Sequence, residues 1–252
     1  MTVWALDLDG VVWRGEQPIA GSVAGVLGLV ERGDRVVLVS NNSAATIREY
    51  RAKLALLGLP REAELVTSAM AAATLIAPGE RVLVCGGAGI AEALERRGAT
   101  ALGDDGDHEA LDAVIVGLHR AFDYERLRRA AAAVRSGARL VATNDDATYP
   151  TADGLVPGAG AILAAVERAS GAKAVVAGKP YPAIVALVRA SFGAEGTVVG
   201  DRPDTDGRFA RALGWRFALV LSGVTIDAAG ADPRPDVIAK DLATLIATTD
   251  AR

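Results

Sequence analysis

Two aspartates two residues apart, Asp7 and Asp9, close a short apolar run and are followed by Gly10. On an extended chain, positions i and i+2 face the same side, so two carboxylates crowd together where like charges repel. The pair reads either as an acidic turn bent at Gly10 or as a metal site whose first carboxylate is also a nucleophile. Ser40-Asn41-Asn42 follows a second apolar run. It suits an ordinary helix cap or a hydroxyl and helix-start amides offered to a phosphate. Lys179, in Gly178-Lys179-Pro180, follows a third. The chain has only four lysines, Lys53, Lys173, Lys179 and Lys240, among 27 basic residues, and a compact ammonium at a strand end suits a phosphoryl oxygen. Asp201 follows a fourth run and a glycine, a placement like that of Asp7, and opens Gly200-Asp201-Arg202-Pro203-Asp204-Thr205-Asp206. There Asp204 or Thr205 could simply cap the next helix, since acids are favoured in a first turn.

The elements that must position these groups are short apolar runs alternating with helical patterns. Strands are predicted at 3–8, 35–39, 82–85, 113–116, 139–142, 174–177, 197–199, 217–220 and 237–238. Helices are predicted at 44–57, 90–97, 124–135, 159–169, 181–191 and 204–213. This alternation predicts an α/β fold with parallel sheets and crossover helices. All four clusters fall at C-terminal ends of apolar runs, the edge of an open α/β sheet where ligands bind. Chemistry at 7–42 and at 179–206 therefore implies one core built from both ends of the chain, 1–76 and 177–252. Residues 77–176 carry their own strands and helices and read as an inserted second domain.

Composition narrows the function classes. Hydrophobic residues make up 51% of the 252 and aromatics only 4%, the profile of helices packed on parallel strands. The net charge is -4 and no basic block exists, which argues against nucleic acid as a partner. No apolar stretch approaches the roughly 18 residues of a membrane span. The N-terminus lacks a basic segment before Asp7, so no cleaved leader is expected and the expected location is cytoplasmic. The lone Cys85 sits in Arg81-Val-Leu-Val-Cys85 and is expected to be a core thiol. Gly86-Gly87-Ala88-Gly89 invites a dinucleotide reading, but Glu92 stands where the fingerprint from Gly87 needs its last glycine. His108 and His119 have no partner at ligand spacing and are expected to be structural.

Taken together, the residues resemble the haloacid dehalogenase superfamily, and within it subfamily IIA, the phosphoglycolate and p-nitrophenyl phosphatase-like branch. Four ordered motifs carry the resemblance: Asp7-Leu-Asp-Gly-Val, Val39-Ser-Asn-Asn-Ser43, Gly178-Lys-Pro and Val199-Gly-Asp-Arg-Pro-Asp-Thr-Asp206. Further similarity runs through Pro18-Ile-Ala-Gly, Gly117-Leu-His-Arg-Ala-Phe-Asp-Tyr, Ala142-Thr-Asn-Asp-Asp, Pro157-Gly-Ala-Gly-Ala-Ile and Leu221-Ser-Gly-Val-Thr, so it covers nearly the whole chain. It implies a Rossmann-like parallel-sheet core with an inserted α/β cap domain, magnesium (Mg2+) as cofactor, a small-molecule phosphate ester as substrate, and a homodimer. Matched motif by motif, Asp7 would be the nucleophile and Asp9 the general acid and then base. Ser40, with Asn41 beside it, and Lys179 would hold the phosphoryl group. Asp7, the Asp9 backbone carbonyl and Asp201 would bind the metal, with Asp206 supporting the site. The chain departs from the pattern at Pro203, Gly207 and Ser40, where leucine, an apolar residue and threonine are usual in this branch.

The function so implied is hydrolysis of small phosphate monoesters through an aspartyl-phosphate. A mutase or other phosphotransferase would use the same intermediate, and a silent ligand-binding relative would have lost Asp7, Asp9 or Lys179, all of which are present. A carbon–halogen enzyme needs no proton donor at Asp9, and a phosphonatase needs a cap lysine where only Lys173 lies at the far edge. The cap segment 143–150 concentrates polar side chains around one aromatic. The resemblance makes it the substrate-specificity loop, with Asn144, Asp146 and Tyr149 nearest the leaving group. Its acidic side chains predict neutral polyol or sugar leaving groups over carboxylated ones.

Overall fold

The computed structural model describes residues 2–103, 110–151 and 154–250. A six-stranded parallel sheet runs in the order Val237–Ala239, Arg216–Val220, Thr197–Gly200, Val3–Leu6, Arg35–Ser40, Glu64–Thr67. A second parallel sheet of five strands is inserted between Glu64–Thr67 and Thr197–Gly200. Its order is Val175–Val176, Arg139–Ala142, Ala113–Val116, Arg81–Cys85, Thr100–Leu102. The fold is α/β, a Rossmann-like parallel-sheet core carrying an inserted α/β cap.

Both faces of the large sheet are covered, which is why its strands read as continuous apolar runs. Along the central strand, Trp4 and Leu6 pack on one side with Leu29, Leu38 and Ile246. Ala5 packs on the other, in a cluster with Val37, Ile184, Phe209 and Phe217. Phe209 and Phe217 are fully buried, each contributing about 1.5–3 kcal/mol from apolar burial. The cap has its own core around Leu83, Val114, Val116, Leu140 and Val166.

Register fixes the site. Leu6 is paired with Leu38 on one side and Val199 on the other, so Asp7, Ser40 and Asp201 leave the sheet along one edge. Lys179 arrives differently. Val176 pairs with Ala142 in the cap sheet, and the Ala177 amide continues that ladder to the Ala142 carbonyl. The lysine thus follows the last cap strand, beside the segment that begins at Thr143. The site lies between two facing sheet edges.

Several elements differ from the sequence reading. The first strand ends at Leu6 rather than residue 8, because Gly10, at φ 92°, turns the chain back so that Asp9 bridges Trp13. The helix predicted at 44–57 begins at Ile47, where Thr46 and Glu49 form a reciprocal capping box. The helix predicted at 204–213 is a π turn over Pro203–Gly207 followed by α-helix at Arg208–Leu213. The segment 143–150 is not all loop: Thr148–Thr151 pairs with Gly154–Pro157 as an antiparallel hairpin. Helices at Ser22–Glu31 and Ser68–Ala73 and the strand Glu64–Thr67 were not anticipated.

Candidate active site

Asp7, Asp9, Ser40, Asn41, Asp146, Tyr149, Lys179, Asp201 and Asp206 line one pocket, together with Asn42, Thr148, Arg202, Thr205 and Val224. The lining comes from both the core and the cap.

Lys179 is the centre of the charge network. It is only 2% exposed, and its Nζ donates to Asp7 Oδ1 and to Asp206 Oδ1, both at 2.7 Å. Burial works against the ammonium, yet the Asp206 and Asp7 carboxylates hold its pKa above the ordinary lysine value. Asp206 in turn accepts the Arg202 amide at 3.2 Å, closing the π turn on itself. Such single π turns recur at functional sites because they re-aim a side chain without ending the helix.

Asp7, Asp201 and Asp206 each present an oxygen within 4.8 Å of the others. Three carboxylates at that spacing repel unless a cation or protons intervene. Burial pushes the Asp7 carboxyl well up, opposed by Lys179 and reinforced by Asp206 and Asp201. Burial, with Asp206 beside it, raises Asp201 to about 7. Asp201 Oδ2 accepts the Val224 amide at 2.5 Å, while Oδ1 is buried with no hydrogen-bond partner. A Cβ on Gly10 would come within 2.5 Å of Asp201 Oδ2, so the glycine admits this carboxylate. An orphaned, buried carboxylate oxygen beside two more carboxylates is a donor set for a hard divalent cation, and magnesium fits it. The Asp9 carboxylate lies outside this group. Its Oδ1 accepts the Trp13 indole N–H at 3.0 Å, and the metal role the resemblance implies for Asp9 is that of its backbone carbonyl. Burial raises the Asp9 carboxyl, and the Trp13 bond only partly offsets it. That is the direction a general acid requires.

Ser40 is buried, with its Oγ 3.2 Å from Tyr50 Oη and accepting the Asn42 amide at 3.1 Å. The Asn41 side chain is fully engaged. Its Oδ1 accepts the Lys179 amide at 2.7 Å, and Nδ2 donates to the Lys179 carbonyl and to Asp146 Oδ2, both at 3.1 Å. Its side chain clamps the lysine backbone, and the residue still lines the pocket. Asn144 needs correction. It is 5% exposed and does not line the pocket; its Nδ2 donates to the Asn41 carbonyl at 2.7 Å, and its Oδ1 accepts the Asp146 amide. It props the specificity segment from behind. Asp146 and Tyr149 do face the pocket, with the Tyr149 hydroxyl accepting from Asn42 Nδ2 at 3.3 Å. Burial raises the Asp146 carboxyl and takes the Tyr149 phenol to about 12.

Other expectations fall away from the site. Cys85 is a buried thiol. A Cβ at Gly89 would strike the Ala45 carbonyl, and the Gly89 amide donates to the Ala44 carbonyl. The glycine run thus serves close backbone approach between cap and core. His119 is half-buried and does not line the pocket; His108 lies outside the described residues. Trp13, Asn42, Arg202 and Val224 were given no role by sequence reasoning. Asn42, Arg202 and Val224 stood within quoted motifs, so they carried a usable signal; Trp13 did not.

Residues 4–100 match the family model described as haloacid dehalogenase-like hydrolase, and residues 176–245 match a second, HAD-hydrolase-like model. The D-glycerol 3-phosphate phosphatase of Mycobacterium tuberculosis is 41% identical over 251 residues, 95% of this chain and 69% of the relative. The chain belongs to the haloacid dehalogenase-like hydrolases. Among solved structures of this family, the glycerol phosphate phosphatase from Mycobacterium tuberculosis in complex with magnesium superposes with a TM-score of 0.86. It is 38% identical, over 97% of this chain and 76% of that one. The p-nitrophenyl phosphatase from Archaeoglobus fulgidus gives a TM-score of 0.87 at 31% identity, with 98% of each chain covered. These hydrolase relatives span both sheets of the present chain, the inserted one included.

Proposed function

We propose that this haloacid dehalogenase-like hydrolase is a phosphatase of small phosphate monoesters of the polyol or sugar type, with Mg2+ as its cofactor and Asp7 as its nucleophile. The observation that carries the reading is the buried Lys179 ammonium set between Asp7 and Asp206, beside an Asp201 oxygen that has no partner. Asp7, Asp201 and Asp206, with the Asp9 backbone, would hold the metal. Bound there, it supplies positive charge that lets an anionic carboxylate and an anionic phosphate approach each other.

The chain's own groups supply the remaining steps. Lys179 fixes Asp7 Oδ1, leaving the other oxygen to attack phosphorus in line. The phosphoryl group moves to Asp7 as the ester oxygen departs with a proton from Asp9. Asp9, now a carboxylate steadied by the Trp13 N–H, takes a proton from the water that releases phosphate. Lys179 and the Ser40 hydroxyl face the charge that spreads over the phosphoryl oxygens. Closure of the cap segment, through Asn41 to Asp146 and Asn42 to Tyr149, keeps bulk water out of this chemistry. The cap comprises residues 77–176, a homodimer is the expected assembly, and a cytoplasmic location agrees with the lack of any helix among the described residues long and apolar enough to cross a membrane.

Release of inorganic phosphate from p-nitrophenyl phosphate, with magnesium and with a chelator, tests the reading. Magnesium-dependent release supports it; no release, or release indifferent to the chelator, overturns it.

A further inference from the structure

Two of the four lysines reach the catalytic loops. Lys179 sits inside the pocket; Lys53, on the helix Ile47–Leu56, comes to the turn after Asp9 from behind. Its Nζ lies 4.3 Å from the centre of the Trp13 ring and donates to the Gly15 carbonyl at 2.7 Å. The same indole donates its N–H to Asp9 Oδ1 at 3.0 Å. Ammonium, ring and carboxyl thus form one chain of contacts, Lys53 to Trp13 to Asp9. We infer that Trp13 and Lys53 position the general acid: the indole fixes one Asp9 oxygen so that the other is presented to the leaving group, and the ammonium fixes the indole. The inference rests on the phosphatase reading and adds two residues to its proton-transfer step.

Trp13 is well placed to act as a fixed point. It is 2% exposed, and its backbone is tied to the acid's own loop. Its amide donates to the Leu8 carbonyl at 3.0 Å, and its carbonyl accepts the Gly10 amide at 2.7 Å. The strand Trp13–Arg14 pairs with Gln17–Pro18, and the Gly15 carbonyl that Lys53 bonds lies in the turn between them. Lys53 therefore holds hairpin and ring together. Glu16 stands 3.6 Å from its Nζ but is 91% exposed, so that ion pair adds little. On the same helix face, three residues earlier, Tyr50 Oη donates to the Asn42 carbonyl at 2.8 Å and lies 3.2 Å from Ser40 Oγ. One helix braces both loops, the phosphate side through Tyr50 and the acid side through Lys53.

Neither Trp13 nor Lys53 lines the catalytic pocket, so both act through Asp9. Tyr149, on the cap, also acts on this carboxyl by hydrogen bonding, whereas Trp13 holds it from the core. An acid free to turn about its side-chain bonds would face the leaving oxygen only part of the time, and fixing it removes that loss. As the bond from phosphorus to the ester oxygen breaks, the oxygen keeps the electron pair and takes the Asp9 proton. The negative charge left on Asp9 strengthens the Trp13 N–H bond, and the Lys53 charge favours the same carboxylate.

The test uses the magnesium-loaded enzyme with p-nitrophenyl phosphate and phenyl phosphate, esters of like shape whose leaving groups differ in their need for a proton. Trp13→Phe keeps an aromatic ring beside Lys53 and removes the N–H. It should lower kcat on phenyl phosphate about tenfold more than on p-nitrophenyl phosphate, the low end for a hydrogen bond to a charged group, with KM little changed. Lys53→Met should move that ratio the same way by about threefold, the scale of an exposed cation–π contact, and Lys53→Arg should restore it. Neither change should move the ratio further in an Asp9→Asn background, where no acid remains to be positioned. The ratio does not depend on how much enzyme is folded, and Lys53→Met, at a side chain 25% exposed, carries the test if Trp13→Phe does not fold. A ratio unmoved by these changes, or moved equally in the Asp9→Asn background, would overturn the positioning role. A selective loss in Asp9→Asn alone would do so while leaving the phosphatase reading intact. No turnover of either ester by the wild type would overturn both.

Discussion

Replacing Lys179 with methionine removes the ammonium between Asp7 and Asp206 while keeping most of the side-chain volume. Both 2.7 Å contacts are lost, in a site where the lysine is 2% and Asp206 1% exposed. Deleting one partner of a buried ion pair costs about 3–5 kcal/mol. At roughly 2–4 °C per kcal/mol for a chain of this size, Tm should fall by about 6–20 °C. The loss has a definite pH dependence. Asp7 already titrates above 3.8, through burial and despite Lys179, and removing the lysine raises it further. A carboxyl whose folded pKa lies above its unfolded value contributes stability that is complete below the unfolded pKa and is lost as pH rises through the folded one. The variant should therefore lie nearest the wild type at about pH 4, where Asp7 is more protonated, and furthest from it at about pH 8. Thermal unfolding of both proteins in metal-free buffer at the two pH values measures this. A Tm decrement equal at both, or smaller than about 2 °C at the higher pH, would refute the claim that Lys179 neutralises buried, ionised carboxylates.

Asp9→Asn should slow alkyl phosphates by about 10²–10⁴-fold, the usual range for general acid–base catalysis, and p-nitrophenyl phosphate less, because that leaving group departs unprotonated; equal losses would remove Asp9 as the acid. Magnesium at about 100 times its Kd should stabilise the protein by about 2.7 kcal/mol. Its effect on Tm should grow between about pH 5 and 8, because Asp201 titrates near 7 and the metal takes the ionised form; a shift that shrinks with pH would contradict the carboxylate site. Tyr149→Ala should raise KM for the preferred substrate more than for p-nitrophenyl phosphate, which needs fewer cap contacts; a like response from both would deny the segment a selective role.

What could be read from the sequence were the strand ends. Asp7, Ser40 and Asp201 each follow an apolar run that a buried parallel strand requires, and the end of such a run shows where a polar group must emerge. The alternation of strands and helices likewise revealed the inserted sheet. The misses have a common physical origin in partners distant along the chain. The resemblance made Asn144 a substrate contact. It is buried because the Asn41 carbonyl, 103 residues away in sequence, satisfies it. The clamp of the Asn41 side chain on Lys179, which spans 138 residues, was hidden for the same reason. The hairpin Thr148–Thr151 with Gly154–Pro157 was hidden by Pro150 and Pro157, which usually argue against strands but are tolerated in a two-stranded ribbon with open edges. The helix expected at 204–213 opens with a π turn that directs Asp206 to Lys179.

The central claim, that phosphate passes through Asp7, can be tested by trapping. Enzyme quenched during turnover of p-nitrophenyl phosphate and reduced with borohydride should carry homoserine in place of Asp7 by peptide mass spectrometry. Reduction should require both substrate and magnesium, and Asp7→Asn should show neither turnover nor product. An unreduced Asp7 in enzyme caught mid-turnover, or reduction at another carboxylate, would contradict the account.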